Sequence, residues 1–211
     1  GHMLYNKKEL GMHTEVVTPS VTELVKAGVV TGSRKNFMPG KIVTGFAVGT
    51  NQFYKDIDHN EMFEFREVHW VNQPTNIAKN DNMISINTSL MIDLTGQAGS
   101  ESIGTKQYSG TGGQVNFNQG AKMSKGGKRI LAIESTYTDK EGNLRSKILP
   151  TLPEGTVVTT PRNEVEYVVT EYGVVDINFD CISTRVKKLI SIAHPQFRDE
   201  LTFAAKKARW I

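Results

Sequence analysis

Two short segments hold the residues of this chain that could do chemistry. Glu15 lies inside the apolar, branched segment "MHTEVV" (residues 12–17). A carboxylate in such a segment is either a solvent-facing residue of an edge strand or a functional group, and the pattern leaves both open. Gly110, Gly112 and Gly113 lie in "SGTGGQ". Their main-chain N–H groups could surround an anion or a developing oxyanion, or the glycines could simply form a turn.

Other chemistry-bearing patterns are weaker. Residues 120–125 approach a phosphate-binding loop in composition but lack the G-x-x-x-x-G-K-S/T order. The five histidines show no spacing typical of metal ligands, so no metal site is predicted. Asn72 in "VNQP" is typical of a turn, and His194 before a proline is typical of a helix end.

Composition excludes several functional classes. The chain has 211 residues, a net charge of +3, and no basic run interleaved with aromatic residues, so no nucleic-acid partner is predicted. No apolar stretch approaches the ~20 residues of a membrane span. Cys181 is the single cysteine and cannot form an internal disulfide, which favours a reducing, cytoplasmic location.

The elements that must position Glu15 and the glycines alternate between strand and helix. Strand patterns are followed by helix start and stop signals early in the chain, strands dominate the middle, and helices close it. Strands are predicted at 12–17, 41–49, 65–71, 82–94, 128–135, 154–160 and 165–173, and helices at 20–28, 51–60, 183–194 and 195–210. This order predicts a single α/β layered domain with a mixed sheet.

Several segments together resemble the acetyl-CoA hydrolase/transferase family of CoA-transferases, in the branch of the 4-hydroxybutyrate and butyryl-CoA:acetate CoA-transferases. The motifs occur in the family's order along almost the whole chain. They are "LGMHTEVVT", "WVNQP", "NDNMISINTSLMIDLTGQ", "SIGTKQYSGTGGQVNF", "GGKRILAIEST", "YVVTEYGVVDI" and "LISIAHPQFRDEL".

The resemblance implies a domain organisation and a fold. Residues 4–211 correspond to the C-terminal CoA-transferase domain, and residues 1–3 are interpreted as a cloning scar. The N-terminal domain of the family lies outside this sequence, so the isolated domain is expected to be inactive. The implied fold is a three-layer α/β CoA-transferase domain with a mixed, largely parallel sheet.

The resemblance also implies roles for particular residues. Glu15 matches the nucleophile that forms a glutamyl-CoA thioester. Gly113, with Gly112 beside it, matches a loop that binds CoA, and Leu90 and Lys140 match two further CoA contacts. Asn72 matches the residue that contacts the reacting thioester.

The function implied is transfer of CoA between a short-chain acyl-CoA (4-hydroxybutyryl-, butyryl- or acetyl-CoA) and a carboxylate acceptor. CoA is a substrate, and no tightly bound cofactor is expected. The predicted partners are the acyl-CoA, the carboxylate, the N-terminal domain and a second copy in a homodimer. Two alternatives stay open, an acyl-CoA hydrolase using the same site and a non-catalytic CoA-binding module.

Overall fold

The computed structural model describes residues 2–211, which form two compact units. The first unit contains the residues up to 83 together with 120–127, and the second contains 84–119 and 128–211. Gly1 of the predicted cloning scar lies outside the described residues, and His2–Leu4 form a short 3-10 helix.

The first unit is built on a three-stranded parallel sheet, in the order β1-β2-β3. Its strands are β1 (Met12–Val17), β2 (Ile42–Ala47) and β3 (Phe63–Phe65), and its helices are α1 (Pro19–Lys26), α2 (Asn51–Ile57), α3 (Val68–Val71) and α4 (Pro74–Ile77). The proline at the first position of α1 has the φ that a helix start requires. Val21 and Leu24 of α1 join Ile42, Phe53 and Phe63 in the core of this unit.

The predicted strand over residues 65–71 is wrong. The strand β3 ends at Phe65, and Arg66 N–H makes a last ladder-like bond to the Thr44 carbonyl at 2.9 Å. The chain then turns into α3, whose Val68 and Val71 are three residues apart. Apolar residues three positions apart also fit the spacing of a helix, so the sequence pattern is compatible with either a strand or a helix. The structure has the helix, with Val71 buried.

The second unit contains a four-stranded sheet in the order β14-β13-β9-β4. Three of its strands are parallel and β14 is antiparallel. The strands of this unit are β4 (Ile84–Thr88), β5 (Met91–Asp93), β6 (Ala98–Gly99), β7 (Ser102–Ile103), β8 (Lys106–Gln107), β9 (Lys128–Ala132), β10 (Thr136–Thr138), β11 (Leu144–Ser146), β12 (Ile148–Leu149), β13 (Tyr167–Thr170) and β14 (Gly173–Asp176). Its helices are α6 (Ile182–Ser191) and α7 (Arg198–Lys207), and α5 (Gln114–Met123) is shared with the first unit.

Two expectations for the second unit fail for local reasons, and one helix was not predicted. The strand predicted over 82–94 is broken into β4 and β5 at Ser89, whose Oγ lies 2.9 Å from the carbonyl oxygens of both Met91 and Gly99 and donates to them instead of continuing a ladder. No strand forms over 154–160, where Thr156 and Val157 are held by side-chain hydrogen bonds rather than by a ladder. The helix α5 was not predicted from its asparagine- and glycine-containing sequence.

The main core of the second unit joins the sheet to the closing helices. Leu131 of β9 and Val168 of β13 share one buried cluster with Val186 and Leu189 of α6 and Leu201 of α7. The predicted α/β fold with a mixed, largely parallel sheet is therefore confirmed. Across residues 2–211, every helix is too short or too polar to cross a lipid bilayer.

Candidate active site

Glu15 lies on the edge strand of the first unit's sheet and is half-buried. Side chains alternate along a strand, so His13 and Glu15 project from the same face of β1. The parallel register pairs His13 with Val43, which places Gly45 on that same face of β2.

Gly45 brings α3 close to the strand that carries Glu15. A Cβ at Gly45 would lie 2.8 Å from Val68 Cγ2 and 3.1 Å from the Glu15 carbonyl oxygen. Both separations are below ordinary van der Waals contact, so a side chain here would push the helix away. The missing side chain thus allows α3 to pack directly on the face that bears His13 and Glu15.

His13 fastens this packing with a buried hydrogen bond. Its Nε2 lies 2.8 Å from the carbonyl oxygen of Val71, the last residue of α3. A carbonyl can only accept, so the proton is on Nε2. Burial lowers the pKa of the His13 imidazole to about 4; the bond to Val71 opposes this shift and the Lys35 ammonium adds to it. His13 is therefore a neutral donor at pH 7.

Lys35 supports the beginning of the same strand. Its Nζ donates to the carbonyl oxygens of Met12 at 3.0 Å and Lys41 at 2.7 Å. Burial lowers the pKa of this amine to about 8. The side chain thus joins β1 to the segment that enters β2. Sequence reasoning missed both His13 and Lys35 as supports of the site, although the two-residue spacing of His13 and Glu15 in a strand was a usable signal.

We expect the burial of the His13 imidazole to make the stability of the first unit depend on pH. The folded-state pKa of about 4 is below the unfolded value of 6.5, so this contribution is complete above pH 6.5 and is lost as pH falls towards 4. The loss amounts to about 3 kcal/mol at 1.36 kcal/mol per pKa unit. His13→Gln keeps an amide donor but cannot titrate, so its unfolding free energy should change less across this range.

Urea unfolding at several pH values checks this expectation. A Trp210→Phe background leaves Trp70, on α3, as the fluorophore that reports on the first unit. His59→Gln is the matched control, since the His59 side chain is 96% exposed. An unchanged pH slope in His13→Gln, or an equal change in His59→Gln, would show that His13 does not titrate as inferred.

Asn72 follows α3 and is buried in the first unit. Its backbone N–H donates to the Val68 carbonyl at 2.8 Å, which ends the helix. Its side-chain Oδ1 has no hydrogen-bond partner among residues 2–211. A buried acceptor without a donor costs about 1–3 kcal/mol. The turn predicted at Asn72 is thus the end of a helix.

The glycine loop begins a helix in the second unit. Gly112 has a positive φ of +62°, which favours glycine, and the Gly113 carbonyl accepts from Phe117 N–H at 2.9 Å. Gly113 therefore caps α5. Gln114 Nε2 donates to Thr160 Oγ1 at 2.9 Å and fixes the first turn of the helix. The N–H groups of a helix's first turn have no acceptor within the helix, and they favour a negative charge.

Leu90 and Lys140 also belong to the second unit. Leu90 is half-buried between β4 and β5, and its N–H donates to the Gly99 carbonyl at 3.1 Å. Lys140 is exposed in the turn between β10 and β11, which Asp139 organises by accepting from the N–H groups of Glu141 and Asn143. The first unit thus groups Glu15, His13, α3 and Asn72, while Gly112, Gly113, Leu90 and Lys140 lie in the second unit. No cluster of three or more potential metal ligands occurs in the described part of the chain.

Comparison with known proteins identifies the family. Residues 49–205 match the acetyl-CoA hydrolase/transferase C-terminal domain. The chain belongs to this family. It is 52% identical over 97% of its length to the 4-hydroxybutyrate coenzyme A transferase of Clostridium kluyveri. It is 42% identical over 96% of its length to the butyryl-CoA:acetate CoA-transferase of Anaerostipes caccae. The resemblance seen in the sequence is confirmed.

Solved structures of family members have the same fold as this acetyl-CoA hydrolase/transferase domain. RipA from Yersinia pestis superposes with a TM-score of 0.91 at 43% identity, covering 100% of this chain and 47% of RipA. A 4-hydroxybutyrate CoA-transferase from Porphyromonas gingivalis gives 0.79 at 39% identity, covering 95% and 46%. The chain spans about half the length of the curated relatives, 47% of the Clostridium kluyveri protein and 45% of the Anaerostipes caccae protein.

Proposed function

We propose that this domain supplies the catalytic glutamate of a CoA-transferase. The complete enzyme moves CoA from a short-chain acyl-CoA to a carboxylate through a glutamyl-CoA thioester on Glu15. The observation that carries the proposal is the position of the half-buried Glu15 carboxylate on β1. It lies on the face of the sheet where the missing side chain of Gly45 allows α3 to pack closely. The names of the relatives from Clostridium kluyveri and Anaerostipes caccae support 4-hydroxybutyryl and butyryl groups as the acyl class.

The first half of the reaction places CoA on the protein. The Glu15 carboxylate attacks the thioester carbonyl of the acyl-CoA, the C–S bond breaks, and an acyl-glutamyl anhydride and a CoA thiolate result. The thiolate then attacks the glutamyl carbonyl of the anhydride. This forms the glutamyl-CoA thioester and releases the donor's carboxylate.

The second half reverses these steps with another carboxylate. The acceptor attacks the glutamyl thioester, which gives a new anhydride and a CoA thiolate. The thiolate attacks the acyl carbonyl of that anhydride, so that the new acyl-CoA leaves and Glu15 returns as a carboxylate. No proton is gained or lost overall, and the glutamyl-CoA thioester is the intermediate that the two half-reactions share.

Each attack develops negative charge on a carbonyl oxygen, and the glycine loop is suited to stabilise it. Main-chain N–H groups at Gly112 and Gly113 can approach an oxyanion without a side chain in the way. Asn72 contacts the reacting thioester in this proposal, and its amide NH2 group is the part that can donate a hydrogen bond to the thioester oxygen. Leu90 and Lys140 are proposed as CoA contacts, with the exposed Lys140 ammonium suited to a CoA phosphate.

The remaining expectations stay predictions. They are a cytoplasmic location, a homodimer in the complete protein, CoA as a substrate without a tightly bound cofactor, and dependence of activity on an N-terminal half. Hydrolysis would follow from the same glutamyl thioester if water replaced the acceptor carboxylate. A non-catalytic module would bind CoA without forming that thioester.

Steady-state kinetics separate these functions. The assay uses butyryl-CoA and acetate with the chain as part of a polypeptide of the relatives' full length, and with the 211-residue chain alone. Transfer through a covalent intermediate should give parallel double-reciprocal lines and consumption of butyryl-CoA only when acetate is present. Release of free CoA thiol without acetate would favour the hydrolase, and no turnover in the full-length protein would favour the binding module.

A further inference from the structure

A buried glutamate, Glu101, lies at the base of the hairpin that leads into the glycine loop. It directly precedes β7, and the second hairpin strand, β8, runs on into Tyr108 and Ser109. The main-chain N–H groups of both residues donate to the Glu101 carbonyl oxygen, at 2.7 and 3.3 Å. The chain therefore returns to Glu101 just before it enters the glycines.

The Glu101 side chain makes a second connection to the same segment. Its Oε1 accepts from Gln107 Nε2 at 3.2 Å, and the same Nε2 donates to the Ser109 carbonyl oxygen at 2.7 Å. An amide NH2 group has two protons, so Gln107 can make both bonds at once. Gln107 thus links the Glu101 carboxyl group to the residue immediately before Gly110.

The base of the hairpin is fixed, whereas the segment that leaves it is exposed. Gly104 N–H donates to Thr156 Oγ1 and Val157 N–H donates to Ser102 Oγ, each at 2.8 Å. Residues 105–112 are all exposed, so burial does little to hold them in one conformation. The contacts with Glu101 therefore connect an exposed segment to a fixed support.

The second carboxyl oxygen of Glu101 is not explained by stability. Glu101 is 6% exposed, and its Oε2 is buried without a hydrogen-bond partner among residues 2–211. A buried polar atom in this state destabilises the folded chain. Natural proteins contain few such atoms, and a functional role is one of the explanations for them.

We propose that Glu101 is a positioning residue for the glycine loop. Through Gln107 and Ser109 it sets the direction in which the chain enters the loop, so that the main-chain N–H groups at Gly112 and Gly113 face the reacting carbonyl oxygen. The inference rests on the proposed function, which assigns those N–H groups to the oxyanion. Glu101 acts through Gln107 and needs no contact with the substrate.

Glu101→Met tests the proposal in a polypeptide of the relatives' full length. Methionine has a similar length but lacks both carboxyl oxygens. We expect kcat and kcat/KM for butyryl-CoA to fall together by about 10- to 100-fold, because misplaced donors weaken interactions made in the transition state. The thermal midpoint should stay equal or rise, because the buried oxygen without a donor is removed. Glu154→Met, at an exposed glutamate of the same unit, is the control and should change neither quantity.

Two further substitutions show whether Glu101 acts through Gln107. Glu101→Gln keeps an oxygen that can accept from Gln107, so kcat should return to within a few-fold of the wild type. Gln107→Met removes the donor and should lower kcat as much as Glu101→Met does. The double variant with methionine at both positions should lose no more than either single variant, because the two side chains act in one connection.

Hydrogen exchange of the peptide with residues 108–113 reports on the loop independently of activity. Exchange should be about tenfold faster in Glu101→Met than in the wild type, and unchanged in Glu154→Met. Unchanged exchange or a normal kcat in Glu101→Met would overturn the proposal, as would a higher KM with an unchanged kcat. A fall in the thermal midpoint that accounts for the lost activity would also overturn it, by giving Glu101 a purely structural role. A wild type that transfers no CoA would instead contradict the proposed function, and the exchange rates would still show whether Glu101 holds the loop.

Discussion

Glu15→Gln is expected to abolish CoA transfer in the full-length protein, with kcat lower by roughly 10⁴-fold or more, the scale seen when a catalytic nucleophile is removed. An amide is a far weaker nucleophile than a carboxylate, and it cannot form the anhydride or the thioester. The side chain keeps its size, and Glu15 is only half-buried, so the fold should be retained. The measurement is steady-state transfer from butyryl-CoA to acetate, together with the thermal midpoint.

Glu23→Gln is the control for this substitution. Glu23 is an exposed carboxylate on α1 of the same unit, and its replacement makes the same change in charge. Its kcat should equal that of the wild type. Turnover by Glu15→Gln within a few-fold of the wild type would mean that the nucleophile is another residue, whereas an equal loss in Glu23→Gln would point to a general effect of charge.

Gly113→Val is expected to lower kcat/KM for acyl-CoA by ~100-fold or more, the scale of one missing oxyanion donor. The side chain would obstruct the approach to the main-chain N–H groups at the beginning of α5. The positive φ of the loop is at Gly112, so valine at position 113 does not have to adopt that strained conformation. Gly113 is buried, so the added side chain should also lower the thermal midpoint, and kcat/KM is therefore measured on the folded fraction.

Gly110→Val is the matched control in the same loop. A Cβ at Gly110 would meet no atom within 4 Å, so the substitution adds the same side chain in open space. Its kcat/KM should stay within a few-fold of the wild type. A large fall in the thermal midpoint of Gly113→Val, with normal kcat/KM in the folded fraction, would mean that the glycines only form a turn. Equal losses of kcat/KM in both variants would lead to the same conclusion.

Local signals in the sequence were sufficient for the elements that carry the candidate nucleophile. The strand predicted at 12–17 has the observed bounds of β1, and the branched residues around Glu15 explain why. The helix predicted at 20–28 corresponds to α1, which begins at Pro19 and is followed by Gly28 with φ +68°. Both elements are specified by residues close together in the sequence, so contacts made elsewhere in the fold do not change them.

Other elements depended on contacts between residues distant in sequence. Nothing near Val68 in the sequence indicates that Gly45 leaves space for a helix there, so the segment was predicted as a strand. His13 resembles any other histidine until Val71, 58 residues away, supplies its acceptor. The roles of Glu15 and Gly113 came from the resemblance to the family rather than from pattern, because a carboxylate in a strand and a glycine-rich turn have common structural explanations.

The measurement that tests the account most directly is mass spectrometry of the peptide that contains Glu15. The full-length protein is incubated with butyryl-CoA in the absence of an acceptor carboxylate and then treated with borohydride, which reduces a thioester to an alcohol. The account predicts that the Glu15 carboxyl carries CoA before reduction and is an alcohol afterwards, and that acetate added before borohydride protects it. The account would be contradicted if Glu15 stayed unmodified in a preparation that transfers CoA to acetate. It would also be contradicted if CoA were attached to a different carboxylate.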